Sequence, residues 1–174
     1  MNRDQQIKKI YLRNITMKKT AIALLLSTFA ATSFAQGFSG ELLISKTDFD
    51  QDGFSDSATM LGLRGSYEFS ETISGELSYT SGEMDDTKID FSTLTLGAKF
   101  SHAVSDVASI NARLGFGSWE AEGNGGSVDG TDLYYGIGGQ YSFNEKAYAG
   151  LEYIMMDADD TDVSALTLSI GYKF

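Results

Sequence analysis

The 174-residue sequence has no proline, no cysteine, a single histidine and a single tryptophan. Average usage would place about nine prolines in a chain of this length. Proline removes a donor from a β-ladder, so a chain that is nearly all strand excludes it. The absence of cysteine excludes a disulfide scaffold, a thiolate metal site and a cysteine nucleophile. Bases are also scarce, 13 against 24 acids for a net charge of −11. That balance argues against nucleic acid as a partner, because phosphate binding needs a basic surface.

The first 35 residues stand apart. Residues 17–35, MKKTAIALLLSTFAATSFA, read as a signal peptide with a positive start at Lys18 and Lys19 and an apolar run from Ala21 to Ala31. Ser33-Phe34-Ala35 then supplies small residues for cleavage after Ala35. The apolar run is shorter than the roughly 20 residues of a membrane span, and no later run approaches that length, so a helical membrane protein is excluded. Residues 1–16 read as an upstream extension without a structural role, with Met17 as the expected start. Six of the 13 bases and one of the 24 acids lie before Gln36, so the remainder, residues 36–174, carries a net charge of −16.

What fills that remainder is alternation. Leu166, Leu168, Ile170, Tyr172 and Phe174 alternate with Thr167, Ser169, Gly171 and Lys173. A strand puts the first five on one face, whereas a helix would scatter them. Similar runs predict eight strands near 37–46, 58–69, 73–82, 90–100, 107–119, 132–143, 147–156 and 163–174. Each even-numbered strand closes on an aromatic after glycine: Gly65 to Phe69, Gly97 to Phe100, Gly139 to Phe143 and Gly171 to Phe174. Short polar connections follow the first three. Odd-numbered strands instead run into acidic stretches, Asp48–Asp56, Glu83–Lys88, Glu120–Asp132 and Asp157–Asp162, the first and third of them also carrying glycine. This predicts an all-β fold, an eight-stranded antiparallel up-and-down transmembrane β-barrel. It has an aromatic rim at a tight-turn end and longer acidic loops at the other. Tyr79, Tyr135 and Tyr153 are candidates for a second aromatic girdle, and Trp119 reads as an interfacial or rim residue. A soluble lipocalin-like barrel also alternates, with its apolar face inward. The polar face here is mostly Ser, Thr and Gly, which suits a narrow bore better than a water-exposed exterior.

The pattern resembles the small OmpA-like and OmpX-like outer-membrane barrels, including the opacity-type surface proteins, over the leader and the whole remaining chain. The resemblance is sharpest at Ser169-Ile170-Gly171-Tyr172-Lys173-Phe174. It implies the outer membrane of a Gram-negative bacterium with loops extracellular, outer-membrane lipid and lipopolysaccharide as surroundings, and a monomeric barrel. It also implies recognition by the barrel-assembly machinery through a terminal signal that includes Tyr172 and Phe174.

Two constellations stand out as sites. Glu41, Arg64, Glu76, Arg113 and Glu152 fall mid-strand on the bore face, with Lys99 and Lys173 nearer the turn end. Unpaired charge is expensive in a narrow low-dielectric space, so these are expected to pair across the lumen. Such pairs either plug the bore or form a gated ion path. In the first loop, Asp48, Asp50, Asp52 and Asp56 around Gly53 match the first half of a calcium loop, but position twelve is Thr59 and no helices flank it. The stretch is a solvated acidic hairpin tip or a weak calcium site; no other cofactor is implied. Phe49 and Phe54 at that tip favour contact with an external ligand or host surface. The remaining acids, Glu83, Asp85, Asp86, Asp129, Asp132, Asp157, Asp159, Asp160 and Asp162, could meet divalent cations shared with lipopolysaccharide or a basic partner. His102, in the predicted connection Ser101–Asp106, has no companion that suggests catalysis. The expectation is a non-enzymatic structural or surface-interaction barrel, with a small low-conductance porin as the alternative.

Overall fold

Period-two alternation needs a sheet with two unlike sides, and closing that sheet removes its edges. The computed structural model describes residues 37–51, 54–123, 126–158 and 161–174. They form eight strands: β1 Phe38–Gln51, β2 Phe54–Ser70, β3 Ile73–Glu83, β4 Asp90–Ala103, β5 Ala108–Gly123, β6 Gly126–Ser142, β7 Ala147–Ala158 and β8 Thr161–Lys173. Each pairs antiparallel with the next, and β8 returns to β1, giving a closed up-and-down barrel. The expected leader, residues 17–35, and the upstream stretch 1–16 lie outside the described residues.

The outward face carries the apolar load. Leu42, Ile44, Leu61, Leu96, Phe116, Ile137, Leu151, Leu168 and Ile170 are all exposed on the barrel exterior. In β6 this band runs from Leu133 to Tyr141, and tilted strands of that length rise about 23 Å, close to the apolar band of an outer-membrane barrel. At the short-turn end an aromatic girdle forms, as expected. Phe38 packs on Tyr67 at 4.7 Å between ring centres and Tyr67 on Phe69 at 5.1 Å, while Tyr172 and Phe174 stand 5.6 Å apart. Tyr135 and Tyr153 also face outward, as the girdle reading requires.

At the other end the strands run further than their apolar alternation. β1, β2, β5, β6, β7 and β8 continue through most of the acidic stretches, so β1 and β2 remain paired up to Gln51 opposite Phe54, and β5 and β6 up to Gly123 opposite Gly126. The expected long loops are therefore mostly ladder. Lipid sets how far the apolar residues extend, whereas main-chain hydrogen bonding continues into water without them. His102 likewise sits within β4, exposed at its end, and not in the connection that follows.

The bore follows from the same parity. Ser39, Glu41, Ser45 and Thr47 of β1 point inward together with Ser66, Ser74, Ser78, Thr167 and Ser169. Ser45 and Thr167 share a 2.7 Å hydrogen bond, and Thr80 and Thr93 another of 2.7 Å. Small inward residues also make room for large ones. A Cβ on Gly171 would collide with the ring of Tyr148, and one on Gly97 or Gly115 with Tyr134.

Candidate functional site: the filled bore and the acidic hairpin end

Five charged side chains from five different strands meet in the bore because each occupies an inward position at mid-strand. Arg64 of β2 donates to Glu41 of β1 at 3.0 Å, which is also its register partner, and to Glu152 of β7 at 2.5 Å. Arg113 of β5 donates through Nε to Glu76 of β3 at 2.8 Å and pairs with Glu152. The structure thus brings together all five residues picked from the sequence, and all five are buried.

Three further groups complete the cluster. Lys99 of β4 lies 3.6 Å from Glu76 and is buried beside it. Tyr148 of β7 donates its hydroxyl to the second oxygen of Glu41 at 3.1 Å, and Ser66 donates to Glu76 at 3.3 Å. Three carboxylates thus face three cations, so the layer carries no net formal charge and its lone pairs are largely occupied. That is the condition under which buried ions are tolerated. Lys173 is not part of the layer; it meets Glu68 at 2.9 Å near the turn end, where both are partly exposed.

Above the charged layer, toward the hairpin end, the bore becomes apolar. Phe49, Met60, Met84, Phe91, Trp119, Tyr134, Met156 and Val163 form one buried cluster. This corrects two sequence readings. Trp119 is not an interfacial residue: only 7% of it is exposed, its ring stacks on Phe91, and its indole N–H donates to Asp132 at 2.7 Å. Phe49 is not an exposed tip aromatic either, being 1% exposed and edge-on to Phe91 at 4.8 Å. A mouth wide enough for a stack of small side chains would stay wet, and these aromatics fill it. Between the two layers lies a cavity of about 70 Å³ bordered by Arg64, Thr93, Thr95, Phe91 and Met156, room for about two water molecules.

The segment linking β3 to β4 closes over this plug. Met84 is buried in it, with Ile89 packed against the cluster. Its tether is Asp56, which faces inward opposite Phe49. Asp56 accepts from the Thr87 hydroxyl at 2.7 Å and from the main-chain N–H groups of Thr87, Asp86 and Ser57. Burial acts to raise the Asp56 pKa, but these donors outweigh it and hold the value down from 3.8 to about 2.

The geometry separates the carboxylates considered as calcium ligands. Asp48 and Asp50 point outward from β1 and are exposed, while Asp56 points inward and is committed to the β3–β4 segment. Asp52 lies outside the described residues. Among the described residues no group of three or more acids, histidines or cysteines is placed to hold a metal ion. The outward acids Asp48, Glu83, Asp90, Asp129, Asp157 and Asp162 instead encircle the barrel beyond its apolar band. Lys46, 3.2 Å from Asp85, and Lys88, 3.6 Å from Glu83, are bases at this end.

Comparison with known proteins agrees with this architecture. The family model for the outer membrane protein beta-barrel domain matches residues 21–174. No curated protein matches by sequence. Among solved structures, the attachment invasion locus protein Ail of Yersinia pestis is similar with a TM-score of 0.61 and 23% identity, over 80% of this chain and 99% of that one. The Neisserial surface protein A has a TM-score of 0.65 at 13% identity over 80% and 98%. The N-terminal β-barrel domain of Pseudomonas aeruginosa OprF has 0.64 at 16% over 80% and 98%.

Proposed function

Since this chain belongs to the outer membrane protein beta-barrel domain family, we propose that it works as a closed surface barrel. Its acidic hairpin end faces the exterior and meets partners there. The observation that carries this reading is the double filling of the bore. An ion-pair layer around Arg64 and Arg113 lies beneath an apolar plug around Phe91 and Trp119. With the bore occupied along this length, the exposed surface beyond the apolar band is what remains for contact. The outward orientation is supported by the unequal ends, with three short turns and the aromatic girdle on one side and prolonged hairpins on the other.

The chemistry of that surface favours some partners over others. Ail of Yersinia pestis has been solved in complex with a heparin analogue, sucrose octasulfate. The present chain offers a ring of outward carboxylates with few bases, which repels a polyanion and attracts cationic surfaces. Its contact with lipopolysaccharide phosphates would accordingly run through shared divalent cations. Our reading further takes the chain as a non-enzymatic, monomeric barrel inserted through its Tyr172 and Phe174 end.

Planar-bilayer recording of the purified protein beside an Arg113→Ala variant tests the closed-bore reading. Neither is expected to conduct above the bare bilayer, because the apolar plug remains when the ion pairs are loosened. Steady conductance by the unmodified protein would overturn this reading in favour of a small porin.

A further inference from the structure

Seven serine and threonine hydroxyls border the cavity between the charged layer and the apolar plug. Six of them are register partners across a ladder and bond in pairs: Ser45 with Thr167, Ser78 with Thr95, and Thr80 with Thr93. Thr47 is the seventh. Its register partners are Ala58 on β2 and Ala165 on β8, whose methyl groups neither donate nor accept. Asp56, the next inward acid along β2, is committed to Thr87. The Thr47 hydroxyl is therefore buried without a hydrogen-bond partner. Such a group is unfavourable in a dry interior and points to something that completes it.

The rest of the lining sets the shape and polarity of the occupant. Leu43, Met60, Phe91, Ile154, Met156 and Val163 present apolar surface to the cavity. A buried water needs two to four polar partners, and among the residues that line this space Thr47 offers the one hydroxyl without a partner. Two waters would share it and meet hydrocarbon elsewhere. Ions fit no better. The layer below balances three carboxylates with three cations, so an anion would lose its hydration without gaining an unpaired charge. A cation would meet Arg64, which borders the cavity. A volume of about 70 Å³ is about half that of a dry cavity that admits benzene, which limits the occupant to about three or four non-hydrogen atoms.

We propose that this cavity is a binding site for a small neutral molecule with one hydroxyl and a short aliphatic body, a short-chain alcohol in class. Its hydroxyl bonds to Thr47, and its carbons lie against Leu43, Ile154 and the two methionines. Entry is from the plug side, where Met60 and Met156 separate the cavity from the hairpin end. Both are unbranched and turn aside more readily than a branched or aromatic side chain. The site lies within the filled bore and needs neither an orientation nor an external partner, so it stands or falls apart from the surface role.

The test titrates the full barrel in lipid nanodiscs with 1-propanol and follows isotope-labelled methionine methyls by NMR. Met60 and Met156 border the cavity, whereas Met155 faces outward and reports alcohol dissolved in the lipid. The Met60 and Met156 signals should shift to saturation while Met155 drifts without saturating. 1-Hexanol, too long for the cavity, should move Met155 alone. Thr47→Val keeps the shape and removes the hydroxyl, so the Kd for propanol should rise about fivefold. Xenon needs only the apolar lining and should shift the same two methyls equally in both proteins, which also shows that the variant keeps its cavity. Ala165→Leu should fill the space and abolish both responses, with heat-modifiable mobility confirming the fold. Shifts at Met60 and Met156 that never saturate, or that follow hexanol as well as propanol, would overturn the site in favour of partition into lipid. An equal propanol Kd in Thr47→Val would overturn the role of the hydroxyl. Water-to-Thr47 contacts that persist at saturating propanol would show that the cavity keeps its water and overturn the proposal.

Discussion

Replacing Arg64 with methionine should be among the most damaging single changes in the bore. The side chain is 4% exposed and hydrogen-bonded to both Glu41 and Glu152, and methionine keeps much of its length without its charge. Removing it leaves three buried carboxylates against Arg113 and Lys99. Glu41 is worst placed, because its remaining partner in the layer is the Tyr148 hydroxyl. Breaking a buried ion pair from one side costs about 3–5 kcal/mol, mostly for the charge left behind. Glu41→Gln added to Arg64→Met restores two carboxylates against two cations, so the double variant should recover at least half of that loss, a coupling of about 2 kcal/mol. Urea unfolding from lipid vesicles measures it. Trp119 is the sole tryptophan and lies in the bore, so its emission reports opening of the barrel. Heat-modifiable electrophoretic mobility gives an independent reading. A single-variant cost below about 1 kcal/mol, or a double variant less stable than Arg64→Met, would refute the view that the layer is held by charge balance.

Three further outcomes follow from the structure. Trp119 should be quenched poorly by brominated lipids, since its ring faces the bore; strong quenching would return it to the lipid interface. Gly171→Ala should cost about 1–3 kcal/mol through overpacking against Tyr148, and Tyr148→Phe should not relieve it, because the collision is with ring carbons as well as the hydroxyl. The Asp56 tether should depend on pH in a defined direction. Its folded pKa, about 2, lies below the ordinary 3.8, so its stabilisation is complete well above 3.8 and lost as pH falls through about 2. Protection factors of the Asp86 and Thr87 amides, referred to the intrinsic exchange rate at each pH, should stay high at pH 5 and fall toward pH 2, and Asp56→Asn should lower them already at pH 5. An unchanged exchange rate in that variant would show that the β3–β4 segment is held by Met84 packing alone.

Much of this layout can be read by parity. Once Glu41 is placed inward, Phe49 shares its side of β1; once Arg113 is inward, so is Trp119; and Glu152 carries Tyr148 with it. The five lumen charges were legible on this rule because their polarity agreed with their parity. For Trp119 hydrophobicity argues for the lipid interface while parity argues for the bore, and for Phe49 the surrounding acids argue for an exposed loop tip while parity again argues for the bore. The ends of the strands were misjudged for a related reason. Apolar alternation stops at the bilayer edge, whereas the hydrogen-bond ladder does not.

By itself the sequence determined the strand count, the closed antiparallel order, the lipid-facing side and the charges that enter the bore. All of these are set by local period and by the cost of burying the wrong face. Only the tertiary structure decided which carboxylate meets which cation, that an apolar plug lies above them, that Asp56 turns in to hold the next segment, and that Thr47 faces alanine on both sides. These depend on the stagger between strands. That stagger brings residues more than a hundred positions apart, such as Glu41 and Tyr148, to within a hydrogen bond, and no period along the chain encodes it.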